Sequence, residues 1–242
     1  MMTFKGKMQA SAEEHRSRVV LALDFGDPYD ARLAKAAKVL DATKGEIAAV
    51  KVNHHLLLPY GLGGLGAVID TCRREGLPLI ADLKMNDIEA TNLNIVDSLS
   101  AFGFDAVIAN PFVGRDEGLG RAIERIHSKQ GGMILLTYMS HKGAEEGYSL
   151  RLEGGVPIYR VFATRAKEWG ADGVIVSAKA TDIIAEVRGI VGKECLILTP
   201  GVGAQGGEAA ASLGAGADYV IVGRSLTEAS DPSKVVHALN AR

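Results

Sequence analysis

The chain has 242 residues, 47% of them hydrophobic and 23% charged, with a formal net charge of −2. A balance so near neutral excludes nucleic acid or an anionic membrane surface as an electrostatically captured partner. No segment supplies the roughly 18 uninterrupted apolar residues of a membrane helix.

Residues 1–18, MMTFKGKMQASAEEHRSR, hold no apolar run suited to a signal peptide. They read as a flexible or loosely docked extension of a cytoplasmic protein, and a single catalytic domain is expected over 19–242. RVVLALDF (Arg18–Phe25) reads as the first strand, and Pro28 suits the first turn of a helix over 28–42. EIAAVKVN (Glu46–Asn53) follows, then a helical region ending near Glu75. LPLIADLK (Leu77–Lys84) is the third strand, and IEATNLNIVDSLSAF (Ile88–Phe102) the helix after it. DAVIAN (Asp105–Asn110), GGMILLTY (Gly131–Tyr138), DGVIVSA (Asp172–Ala178), ECLILTP (Glu194–Pro200) and DYVIVGR (Asp218–Arg224) complete eight strands.

These strands are runs of Val, Ile, Leu and Ala rather than clean alternations, as expected of parallel strands buried on both faces. Helical segments of about 10–15 residues between them imply right-handed crossovers. Eight such units predict a single (β/α)8 (TIM) barrel; periodicity alone also admits an open doubly wound sheet. Cys72 and Cys195 match no metal spacing and read as reduced, buried thiols.

A barrel places its site at the C-terminal ends of its strands. Asp24 ends the first strand, Lys51 the second, and Asp82 and Lys84 the third. The fifth leads into YMSHKGA, the seventh into TPGVGAQGG and the eighth into VGRS. No comparable set is expected at the N-terminal ends. Asp82 and Lys84 are two apart and so share a face, with Leu83 and Met85 on the other. Asp87 has the opposite parity and is expected to project from a loop. A buried ion pair with a helix cap would use the same residues structurally, but at several kcal/mol of desolvation per ion. TPGVGAQGG (Thr199–Gly207) has four glycines in nine residues, which lets backbone N–H groups approach an anion. With Arg224 it forms a candidate phosphate site.

Three other features carry less. GLGGLG (Gly61–Gly66) does not directly follow a strand, as a dinucleotide loop would. Asn53–His55 has no acidic partner near in sequence for a metal. Ser140 and His141 are neighbours, which seldom form a nucleophile–base pair.

Asp82, Lys84, Asp87 and Ile88 in a D-x-K-x-x-D-I pattern, Lys51, the MSH loop, PGVGAQGG and IVGRS together resemble the orotidine 5′-phosphate decarboxylase family, most closely its archaeal-type short form. The likeness runs from about Val19 to the end; Lys142 stands where the family commonly has proline. The resemblance implies conversion of orotidine 5′-phosphate to UMP and carbon dioxide in de novo pyrimidine biosynthesis, with no metal or organic cofactor. It implies Lys84 as the proton donor to C6, Asp82 beside the substrate carboxylate, and Lys51 and Asp87 completing a charge network. It implies ribose binding by Asp24 and Lys51, pyrimidine binding by Ser140, and phosphate binding by Gln205 and Arg224 with Gly203 beside them. It further implies a homodimer in which Asp87 and Thr91 enter the partner's site. Two other functions fit part of the pattern: a metal-dependent sugar-phosphate decarboxylase or aldolase, which would want an acidic residue where Lys51 stands, and a non-enzymatic binder of phosphorylated nucleotides.

Overall fold

The computed structural model describes residues 2–203 and 207–241. Eight parallel strands, β1 (Val19–Ala22), β2 (Ala49–Asn53), β3 (Leu79–Met85), β4 (Ala106–Ala109), β5 (Gly132–Tyr138), β6 (Gly173–Val176), β7 (Leu196–Pro200) and β8 (Tyr219–Val222), close in sequence order into a barrel. β1 pairs with β8 through Val20 and Ile221, which excludes the open sheet. The helices are α1 (Phe4–Glu14), α2 (Tyr29–Thr43), α3 (His54–Tyr60), α4 (Gly66–Arg74), α5 (Glu89–Phe102), α6 (Gly120–Ser128), α7 (Ala144–Tyr148), α8 (Ile158–Glu168), α9 (Thr181–Val191), α10 (Gly207–Gly214), α11 (Arg224–Thr227) and α12 (Pro232–Asn240). None of the described helices is long and apolar enough to cross a membrane.

Strand parity divides the core in two. Val20, Ala22, Ala49, Ile80, Ile108, Ile134, Leu136 and Ile221 fill the barrel. Their neighbours Val19, Leu21, Val50, Leu79, Ala81 and Met85 pack outward among residues of the helices. Both faces are therefore apolar, which is why the strands lack alternation.

Helix α1 corrects the expectation of a flexible or loosely docked extension. Phe4 and Met8, one turn apart, are fully buried among the inward-facing strand residues. A Cβ on Gly132 would lie 2.4 Å from the Phe4 ring, so a glycine starts β5 where the ring enters. Lys7 Nζ donates to Asp105 Oδ1 at 2.6 Å, and Lys5 Nζ to the Glu194 carbonyl at 2.7 Å. The buried face continues through Ser11 and Ala12, small residues that leave too weak a signal for a hydropathy pattern.

The N-terminal strand ends also carry charges, contrary to expectation. Asp105, Asp172 and Asp218 accept the backbone N–H groups of Leu79 (2.9 Å), Met133 (2.9 Å) and Ile197 (2.7 Å), each clamping the preceding strand. Each has its own basic partner: Lys7, His127 and Arg188 respectively. They fasten the barrel floor and leave no carboxylate unpaired. The bond to Asp172 raises the His127 pKa, against partial burial and the nearby Lys5.

Candidate active site

The inward-facing rows change character at the top of the barrel. Ala22 is followed two residues later by Asp24, Ala49 by Lys51 and Ile80 by Asp82. Apolar filling thus gives way to charge at one level on three adjacent strands. Lys51 Nζ lies 2.7 Å from Asp82 Oδ2 and 3.4 Å from Asp24 Oδ1, and Lys84 Nζ lies 2.7 Å from Asp82 Oδ1. The charges alternate along a chain Asp24–Lys51–Asp82–Lys84, whose formal sum is zero.

Lys51 and Asp82 are only 4% and 6% exposed, so neither ion is sustained by water. Burial by itself would lower the Lys51 pKa; the attraction of Asp82 and then Asp24 outweighs it, and the value is raised. Burial likewise pushes Asp82 up, and Lys51 and Lys84 together outweigh it and hold the carboxyl below its usual 3.8. Both residues are charged at neutral pH.

Lys84 reaches this cluster through an irregular backbone. Ala81 faces Val107 and Met85 faces Ala109, so β3 spends four steps where β4 spends two. Within this bulge Lys84 has φ +49°, which costs a non-glycine residue about 1–3 kcal/mol. The bulge keeps Leu83 and Met85 against the outer core while Asp82 and Lys84 face the cavity.

That cavity has a volume of about 970 Å³ and opens at the C-terminal ends of the strands. Asp24, Lys51, Asp82, Lys84, Ser140, Gly203 and Arg224 all line it. Ser140 follows β5 and faces the glycine loop: a Cβ on Gly201, whose φ is +99°, would lie 3.3 Å from the Ser140 Cβ. Arg224 opens α11 directly above β8. Among the described residues, no three His, Cys, Asp or Glu side chains gather where they could hold a metal ion.

The model of the "Orotidine 5′-phosphate decarboxylase / HUMPS family" matches residues 17–239. The chain belongs to this family. An orotidine 5′-phosphate decarboxylase of Pyrococcus abyssi is 37% identical over 221 residues, covering 91% of this chain and 96% of its own. That of Methanosarcina barkeri is 34% identical over 228 residues, covering 94% and 95%. The crystal structure of the Pyrococcus horikoshii orotidine 5′-phosphate decarboxylase superposes with a TM-score of 0.72 at 34% identity, covering 92% of this chain and 97% of that one.

Of the residues expected from the decarboxylase pattern, seven converge on the cavity, and three need separate comment. Gln205 lies outside the described residues. Asp87 and Thr91 are exposed and do not line the cavity of their own chain. Asp87 Oδ1 accepts the Ile88 N–H at 2.8 Å, and α5 has Ile88 rather than Asp87 at its N-cap, without a side-chain cap. The capping role open to Asp87 in the sequence is therefore not the one it has. Asn92 Nδ2 donates to the carbonyls of Asp87 and Gly118 and so holds the loop in place.

Sequence reasoning missed Asn53, His55, Lys179 and Glu208, which also line the cavity. Lys179 follows β6, whose end attracted no attention because DGVIVSA closes on small residues. Asn53 and His55 were weighed only as metal ligands. Gly61–Gly66 lies away from the cavity, ending α3 and forming a 3-10 turn. Cys72 and Cys195 are free and buried, and burial pushes both thiols up to about 12.

Proposed function

We propose that this chain is an orotidine 5′-phosphate decarboxylase, a carboxy-lyase that produces UMP and carbon dioxide in pyrimidine biosynthesis. The observation that carries the reading is the Lys51–Asp82–Lys84 array lining the cavity, in a chain whose relatives bear that activity by name. The C6–carboxylate bond breaks, its electron pair stays on C6, and the Lys84 ammonium gives C6 a proton; the resulting amine regains one from water. Asp82 holds that ammonium at 2.7 Å and keeps it aimed.

Repulsion between Asp82 and the substrate carboxylate contributes less. Two like charges about 4 Å apart at an effective dielectric near 20 repel by roughly 4 kcal/mol, or about three decades in rate. Each Asp82 oxygen already has an ammonium 2.7 Å away, which reduces this further. The most demanding enzymatic barriers are lowered by on the order of 20 kcal/mol. Stabilisation of the developing carbanion by Lys84 is the larger part, with phosphate binding used to exclude water.

Asp24 and Lys51 bind the ribose, Ser140 the pyrimidine, and Arg224, Gly203 and Gln205 the phosphate. The enzyme acts in the cytoplasm, without a metal or organic cofactor, as a homodimer with Asp87 and Thr91 in the partner's site. Support for the dimer comes from the exposure of Asp87 after β3 and of apolar side chains after β3 and β4: Ile88 is 64% exposed and Phe112 68%. A metal-dependent sugar-phosphate lyase is disfavoured because the Lys51 ammonium occupies the space between Asp24 and Asp82 that a cation would need. The test is to incubate chelator-treated protein with orotidine 5′-phosphate and follow the pyrimidine absorbance. Conversion to UMP supports the reading, and no conversion overturns it.

A further inference from the structure

The Asn53–His55 segment is more elaborately held than a surface turn requires. The His55 backbone N–H donates to Asn53 Oδ1 at 2.8 Å, and the His55 carbonyl accepts from Arg32 Nη1 at 3.0 Å. Arg32 Nε in turn donates to the Asp27 carbonyl at 2.7 Å, which ties α3 to the loop after β1. The His55 ring Nδ1 lies 3.0 Å from the Phe25 backbone nitrogen, whose N–H it accepts. An imidazole nitrogen that accepts a peptide N–H presents its lone pair, so the ring is neutral and its hydrogen is on Nε2. Both backbone groups and one ring nitrogen are thus committed. Nε2–H has no partner among the described residues, and His55 lines the cavity. It does so next to the end of β1, where Asp24 immediately precedes Phe25 and lies 3.4 Å from the Lys51 ammonium.

We propose that His55 is a further substrate-binding residue, a neutral Nε2–H donor to a ribosyl hydroxyl of the nucleotide. This rests on the nucleotide reading of the site. The ribose is the matching partner because His55 belongs to the β1–β2 side with Asp24 and Lys51. Ser140 projects from the far side of the barrel, after β5, and Gly203 and Arg224 lie above β7 and β8. Fixing the tautomer makes Nε2 a donor only. It selects an acceptor oxygen without adding charge to an array whose charges already cancel.

The test compares dissociation constants of UMP, 2′-deoxy-UMP and 3′-deoxy-UMP for the wild type and His55→Ala by titration calorimetry. One neutral hydrogen bond is worth about three- to tenfold in affinity. His55→Ala is expected to weaken UMP by that factor and to leave unchanged the analogue that lacks the contacted hydroxyl. Unchanged UMP affinity overturns the proposal. So does equal weakening of all three ligands, which is what loss of the Phe25 anchor alone would give. A second measurement needs no variant: ¹H–¹⁵N spectra of the wild-type imidazoles should show His55 as the Nε2–H tautomer, with Nε2 shifted on saturation with UMP. An Nδ1–H tautomer, or an unmoved Nε2 in the UMP complex, overturns it. A wild type that binds no UMP instead strikes the nucleotide reading, and the His55 proposal falls with it.

Discussion

Replacing Phe4 with alanine removes a ring that is fully buried in the lower barrel and rests against Gly132. Truncations of this kind cost about 3–5 kcal/mol, the transfer term plus the cavity left behind. The surroundings here are strand residues held in hydrogen-bonded register, so collapse into the void is restricted. In a chain of this size each kcal/mol moves the melting temperature by roughly 2–4 °C, which predicts a fall of about 6–20 °C. If α1 can undock locally, the free energy of its docking sets a ceiling on the loss. That ceiling is set mainly by the buried Phe4 and Met8 side chains. Beyond that stripe, α1 is held chiefly by the part-buried Lys7–Asp105 pair and the more exposed Lys5 contacts with Glu194, each worth on the order of 1 kcal/mol. Turnover at 25 °C should be unchanged, since Phe4 lies at the opposite end of the barrel from Lys84. Thermal melts followed by circular dichroism at fixed protein concentration provide the assay. A shift under about 2 °C would refute the docking of α1 described above.

Lys51→Met leaves the Asp82 carboxylate with one ammonium instead of two. It should destabilise the fold by up to about 3–5 kcal/mol and raise the Asp82 pKa, both measurable by urea titration across pH. The same variant should lose at least roughly a hundredfold in kcat/KM. For His127 the pKa is raised in the folded state, so its contribution is complete below the unfolded value near 6.5 and is lost as pH rises through the folded value. The stability advantage of wild type over His127→Gln should therefore shrink on going from pH 6 to pH 9. It should stay below about 1 kcal/mol, because the ring is partly solvated; an advantage that grows with pH would contradict the assignment. If Asp87 serves the partner's site, mixing inactive Lys84→Ala and Asp87→Ala chains should restore up to about one quarter of wild-type activity, since half the dimers are mixed and each holds one intact site. No recovery after verified subunit exchange would place Asp87 in its own chain's chemistry.

The strand pattern was legible because burial on both faces leaves a strong mark: eight apolar runs, each bounded by polar residues. Parity was legible too. Asp82 and Lys84 do share the cavity face, even though a bulge and a positive φ at Lys84 intervene. Helix α1 was not legible, because two large apolar side chains among its three buried residues do not make an amphipathic signal in eleven residues. The floor carboxylates were misjudged for a related reason. Asp105, Asp172 and Asp218 look in sequence like ordinary strand-flanking acids, and only the fold brings each to a neighbouring strand's N–H. His55 was visible as a residue but not as a role. Its bond to Phe25 joins segments 30 residues apart, a distance no local pattern encodes.

Lys84→Ala tests the central claim most directly. The variant should bind UMP with an affinity near that of the wild type and convert no measurable orotidine 5′-phosphate in chelated buffer. Substantial metal-free turnover by Lys84→Ala would contradict the assignment of Lys84 as the group that stabilises and protonates C6.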